Sequence, residues 1–141
     1  MSLFKKQVSV ELLNAQSAGT LSQALGIRIS EVGADFVRGT LPVDGRTKQP
    51  FGLLHGGASV ALAETLGSLA GWLCLADEAS YCVGVEINAN HLKAMRSGEV
   101  IGTTRALHVG RSTQVWETRI EDADGALICV SRLTLAVITP R

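Results

Sequence analysis

Residues 53 to 76, LLHGGASVALAETLGSLAGWLCLA, are twenty-four residues with four glycines and one charge, Glu64. About 20 apolar residues suffice to cross a bilayer, but a central glutamate, a histidine at one end and interior glycines argue against a membrane span. A helix that is apolar on nearly every side belongs in the middle of a soluble core, with the rest of the chain wrapped around it. Glu64 then has to be explained. A buried carboxylate is costly without a partner, so its side chain either reaches water or has a task.

The flanking sequence supplies the wrapping. Residues 8–16 and 19–25 read as a short helix and a helical turn, while 27–32 and 35–43 alternate apolar with polar and meet at Gly33 as a hairpin. A polar loop, 44–52, leads into the long helix, expected from about Gly56 to Ala76. Beyond it the period becomes two: 81–95, with Val83, Val85 and Ile87 on one face, then 99–110, 112–122 and 126–138. In the last strand Leu127, Cys129, Ser131, Leu133, Leu135 and Val137 share a side. Short turns imply antiparallel pairing. The expectation is a single α+β domain over residues 1–141, an antiparallel sheet around one central helix. One helix covers only one face of a sheet. Trp116, Ile120 and Ile128, placed on the outer face by this alternation, are apolar and point to self-association.

Composition narrows the partners. The 141 residues carry 13 basic and 13 acidic side chains with a pI near 6.8, which leaves no electrostatic footprint for nucleic acid or an anionic membrane. A chain this long buries roughly 68% of its unfolded surface and needs no staple. Cys74, Cys82 and Cys129 have neither paired spacing nor an even count and read as small core residues in a reducing compartment. The N-terminus lacks the apolar stretch of a signal peptide. A cytoplasmic protein is expected. His55, His91 and His108 lack ligand spacing with the cysteines, so neither a metal nor another cofactor is expected.

The helix start carries the chemistry. His55-Gly56-Gly57 opens the helix, where peptide N–H groups have no intrahelical acceptor and glycine allows close approach. This is how an oxyanion hole can be built. Gln49, in the preceding loop, adds a donor. Ser68, one turn beyond Glu64, can donate to its carboxylate. Together they supply a nucleophile or base and electrophilic donors, the set that acyl transfer needs.

Gly56 and Glu64 are nevertheless eight residues apart, about 12 Å along a helix at 1.5 Å per residue. A glutamate side chain cannot close that distance, so one carbonyl cannot touch both residues of one chain. If the two act together, each comes from a different subunit across a two-fold axis.

These segments, VDGRTKQPFGLLHGGASVALAETLGSLAG, VGVEINANHLKAMRSG and ALHVGRSTQVWE, resemble the hotdog-fold acyl-CoA thioesterases, nearest the branch of 1,4-dihydroxy-2-naphthoyl-CoA and enterobactin-proofreading enzymes. The resemblance implies that Glu64 is the catalytic carboxylate, as nucleophile or as general base on water, and that the Gly56 N–H polarises the thioester carbonyl. It implies that Gln49 and His55 orient that carbonyl and assist thiolate departure, and that Ser68 positions the carboxylate or water. It further implies sites shared across a dimer, dimers paired into tetramers, and an acyl-CoA partner. His91, Lys93 and Arg96 and the turn Gly110, Arg111, Ser112 become candidates for the coenzyme phosphates by charge and donor content. Lys93 stands where relatives favour arginine, so bidentate recognition is lost there. Phe51, Leu54, Leu69 and Trp72 are candidate walls that suit a flat or medium-length apolar acyl group without distinguishing aromatic from fatty; an aromatic acyl group is the expectation. Two alternatives remain at this level: a binding or assembly protein without turnover, and a hydratase or dehydratase using a histidine and an acid for proton transfer.

Overall fold

Leu66 decides where the central helix sits. In the computed structural model, which describes residues 1–141, Leu66 is fully buried over Gly39 and Gly102, which face each other in the sheet register. A Cβ at either glycine would stand 2.8 or 2.9 Å from a Leu66 methyl carbon. The two glycines are therefore a socket, and a fully buried leucine of this kind contributes about 1.5–3 kcal/mol.

The chain runs α1 (Val10–Ala15), α2 (Leu21–Leu25), β1 (Arg28–Val32), β2 (Phe36–Pro42), α3 (Gly56–Leu73), β3 (Tyr81–His91), β4 (Glu99–Val109), β5 (Thr113–Glu121) and β6 (Leu127–Ile138). The six strands form one antiparallel sheet in the order β1-β2-β4-β5-β6-β3, curved around α3. The small residues of α3 permit the close wrap. A Cβ on Gly67 would lie 2.6 Å from Leu133 Cδ2, and one on Gly71 2.5 Å from Leu135 Cδ1. No helix is long and apolar enough to cross a membrane.

α3 ends at Leu73, three residues before the expected Ala76, because the N-terminal segment takes its place. Lys5 and Lys6 donate backbone N–H groups to the Leu73 carbonyl at 2.7 and 3.1 Å, satisfying an acceptor that a helix end leaves open. Phe4 stacks on Trp116 with ring centroids 6.4 Å apart. The strand expected over 81–95 stops at His91, where the Leu92 and Lys93 N–H groups turn to the Ile128 carbonyl at 2.8 and 3.3 Å.

Trp116, Ile120 and Ile128 do not face outward. The first two are fully buried and Ile128 nearly so. The phase of β5 was obscured by Gln114 and Thr118, polar residues that share the inner face with Trp116 and are themselves buried. Gln114 is satisfied there: it accepts from Trp116 Nε1 at 2.8 Å and donates to the Gly71 carbonyl at 3.3 Å, as a buried amide requires. The outer face is charged instead. Arg38 pairs with Glu31, Arg105 with Asp35, both guanidinium groups flank Phe36 at 4.8 Å, and Glu117 stands in register between Arg105 and Arg132.

The exposed apolar residues cluster elsewhere, on the edge strand β3: Tyr81, Val83 and Val85. Val83, Val85 and Ile87 do not share a face as expected, because β3 carries a bulge between Gly84 and Glu86. Val85 is the extra residue, and it reverses the alternation beyond it. Cys82 packs against the core before the bulge and Ile87 and Ala89 after it, so the inner row is Cys82, Gly84, Ile87, Ala89, His91. Of the cysteines, Cys129 is buried and Cys74 and Cys82 are half-buried. Burial pushes the Cys74 thiol up to about 11, with Cys82 adding to the effect, so all read as packing groups rather than nucleophiles.

Candidate active site

His55 caps α3: its Nδ1 accepts the Gly57 N–H at 2.8 Å, and its carbonyl accepts from Ala58 and Ser59 at 3.0 and 3.3 Å. Of the first-turn amides, that leaves only Gly56 N–H without an acceptor in the protomer. A free N–H at the positive end of an eighteen-residue helix is a preformed donor for an oxyanion.

Gln49 reaches the same place from the loop. Its Oε1 accepts the Phe51 N–H at 2.5 Å and, more weakly, the Leu53 N–H at 3.5 Å. Gly52, at φ +81°, turns the loop so that its N–H returns to the Gln49 carbonyl at 2.9 Å, a conformation that favours glycine. With the side-chain oxygen committed, the amide NH₂ is the end left for a ligand. Gln49 and Gly56 line one cleft of about 370 Å³ together with Leu54, Ser59, His91 and Lys93. His91 lies directly over Gly56, since a Cβ there would be 2.8 Å from its Nε2.

His55 is not in this cleft. Because Nδ1 is an acceptor, its ring carries the proton on Nε2, and the side chain lines a separate hollow of about 280 Å³ with Leu21, Leu25 and Lys48. Glu64 is also elsewhere, half-buried on α3 with its Oε1 3.1 Å from where a Cβ on Gly84 would be. No side chain or N–H of its own protomer hydrogen-bonds its carboxylate, and no hydrogen bond joins it to Ser68. The only hydroxyl bond along this stretch is Thr65 Oγ1 to the Ala61 carbonyl at 2.7 Å.

The candidates for coenzyme contact divide between the two ends of the sheet. His91 pairs with Cys129, whereas Ser112 accepts the N–H of Val137, eight residues along β6, a span of about 26 Å at 3.3 Å per residue. The exposed turn Gly110, Arg111, Ser112 therefore lies far from His91, Lys93 and the exposed Arg96 of the same chain. Lys93 Nζ is held by Asp122 at 2.6 Å, and this bond, with the Ala126 N–H, keeps the Asp122 carboxyl below the usual carboxylate range. Phe51 is 83% exposed at the loop tip, and Leu69 and Trp72 lie farther along α3 against the core, Trp72 under Lys6 Nζ at 5.2 Å.

Ser59 and Gly84 were not among the candidates. Ser59 is a buried hydroxyl on the wall of the cleft and gave no signal beyond its type. Gly84 did: an isolated glycine inside a strand pattern marks a bulge or a close approach.

An antiparallel sheet curved around one long central helix is the hotdog fold of the thioesterases. The chain belongs to the Thioesterase superfamily, which it matches over residues 51–129, and it is a thioester hydrolase. It is 50% identical to the 1,4-dihydroxy-2-naphthoyl-CoA hydrolase of Escherichia coli K12 over 136 residues, 96% of this chain and 99% of that one. To the proofreading thioesterase EntH of Cronobacter turicensis it is 51% identical over 136 residues, 96% and 98% of the two chains. The crystal structure of thioesterase HI1161 from Haemophilus influenzae superposes with a TM-score of 0.94 at 52% identity, covering 97% of this chain and 95% of the other.

Proposed function

We propose that this enzyme hydrolyses aromatic acyl-CoA thioesters to the free acid and coenzyme A at a site shared by two copies of the chain. The observation that carries the proposal is a separation. The free Gly56 N–H and the Gln49 amide lie in one cleft, while the Glu64 carboxylate, unbonded in its own protomer, lies apart beside the edge strand.

β3 is that edge. It presents an unpaired backbone row and exposed Tyr81, Val83 and Val85, a template for pairing with another strand. The midpoint of Tyr81–His91 is Glu86. A two-fold axis there sets each Gly84, and the Glu64 behind it, beside the C-terminal half of the other β3, the half that ends at His91 over Gly56. Antiparallel pairing of two copies thus brings the carboxylate of one to the donors of the other.

The thioester carbonyl binds with its oxygen on Gly56 N–H and Gln49 NH₂, which stabilise the charge that develops on it. Glu64 either attacks the carbonyl carbon, giving an anhydride that water then opens, or removes a proton from an attacking water. In both cases the C–S bond breaks, the thiolate leaves and takes up a proton, and a carboxylic acid remains. The names of the relatives support an acyl-CoA substrate, and a naphthoyl group in one of them supports an aromatic one.

Coexpression tests the shared site. Glu64→Ala homodimers lack the carboxylate and Gly56→Val homodimers have the donor amide occluded by a side chain at both sites, but a mixed dimer retains one intact site. Random mixing should restore about a quarter of wild-type thiol release from benzoyl-CoA. No restoration means that each site belongs to one chain. A panel of aroyl-CoA and fatty acyl-CoA esters tests the substrate class, with faster turnover of aroyl esters expected, and exclusive turnover of long fatty chains rejects it. A product with the mass of the free acid separates hydrolysis from hydration.

A further inference from the structure

We propose that Gly84 is a positioning residue for the Glu64 carboxylate, and that the β3 bulge exists at this point to keep a side-chain-free seat beside it. The inference rests on the catalytic role given to Glu64 above. Backbone conformation does not require glycine here, because Gly84 is absent from the positive-φ glycines 19, 26, 52, 98 and 125. Space does. The three atoms nearest a Cβ at position 84 are Glu64 Oε1, Cδ and Oε2, at 3.1, 3.7 and 3.9 Å. Gly67, by contrast, makes room mainly for Leu133, and Gly71 for Leu135 and the Gln114 amide oxygen. What Gly84 makes room for is the carboxylate.

The bulge completes the seat. With strict alternation, Glu86 would follow Gly84 onto the inner face and bring a second carboxylate toward the first, favouring protonation of one of them. The extra residue Val85 turns Glu86 outward, where its carboxylate accepts from Asn88 Nδ2 at 3.0 and 3.1 Å. The same half-turn brings His91 inward, over Gly56. One inserted residue therefore clears the neighbourhood of the carboxylate and aims a histidine at the oxyanion donor.

A methyl at position 84 forces Glu64 to shift by a few tenths of an ångström, and small misplacements at a reacting centre are expensive. Gly84→Ala should lower kcat for thiol release from benzoyl-CoA about 10-fold with KM within about 2-fold, and Gly84→Val at least another 10-fold. Aspartate is one methylene shorter and withdraws the carboxylate from the seat. In a Glu64→Asp background, Gly84→Ala should change kcat less than about 2-fold. Melting temperature and elution volume should match wild type for Gly84→Ala, which carries the test if Gly84→Val does not fold. Wild-type kcat in Gly84→Ala, an equal loss in both backgrounds, or a loss that tracks melting temperature would each overturn the proposal. Full activity in Glu64→Ala would instead reject the catalytic role of Glu64 itself.

Discussion

His91 Nε2 stands 2.8 Å from the point where a side chain at position 56 would begin. Gly56 is therefore glycine for two reasons at once, access to its free N–H and room for the imidazole. Adding a methyl must push the ring or the helix start. Alanine keeps the backbone N–H, so the cost comes from displaced geometry, and Gly56→Ala should lower kcat about 100-fold. In a His91→Ala background the three atoms nearest the added methyl are gone, so the same substitution should cost markedly less. Steady-state kinetics on the four variants of the cycle measure the difference, and equal costs would exclude contact as the cause.

Gln49 uses the two ends of its amide for different purposes. The oxygen holds the loop through Phe51 and Leu53, and the NH₂ of this cleft-lining residue has no partner in the protomer. Gln49→Glu keeps the loop acceptor and deletes the donor. Its kcat should fall about 100- to 1,000-fold with an unchanged melting temperature. Gln49→Ala loses both and should also melt earlier, by calorimetry.

Leu66 in its glycine socket is the keystone of the helix–sheet packing. Leu66→Ala leaves a cavity that β2 and β4 cannot fill, since Gly39 and Gly102 have no side chains to move. Urea denaturation should show a loss of about 2–5 kcal/mol. Ser59→Ala, which opens no comparable void, should stay within about 1 kcal/mol.

The pH limits of stability have identifiable sources. Arg46 donates side-chain and backbone hydrogen bonds to Asp44 and holds its carboxyl near about 2. The folded state thus binds this proton more weakly than the unfolded one. The contribution is present above about pH 4 and disappears as pH falls toward 2. Asp122, lowered chiefly by its bond from Lys93, acts in the same direction. At the alkaline end burial raises Cys74 to about 11. Here the folded state holds the proton more tightly, so stability is intact below about pH 9 and falls as pH climbs toward 11. Asp44→Asn should flatten the acid limb of a melting-temperature profile by lowering the value at pH 7 toward that at pH 2, and Cys74→Ala should flatten the alkaline limb with the value at pH 7 nearly unchanged.

The central helix, the six strands and their antiparallel pairing were legible in the chain, and Gln49, Gly56 and Glu64 stood out in it as candidates. Hydrophobic period, glycine placement and one isolated charge are local properties, and local properties survive in a linear string. The phase of β5 was not legible, because Gln114 and Thr118 are polar residues buried on its inner face, and Gln114 donates to the Gly71 carbonyl of the distant central helix. Gly84 hints at a bulge or a close approach without placing the extra residue at Val85, which is defined only against the strand it faces. Its consequences follow from that pairing: Gly84 beside Glu64, Glu86 outward, His91 over Gly56. The separation of Ser112 from His91 likewise depends on which end of β6 each one meets. Sequence determined which groups could do chemistry, and the register between strands decided which of them meet.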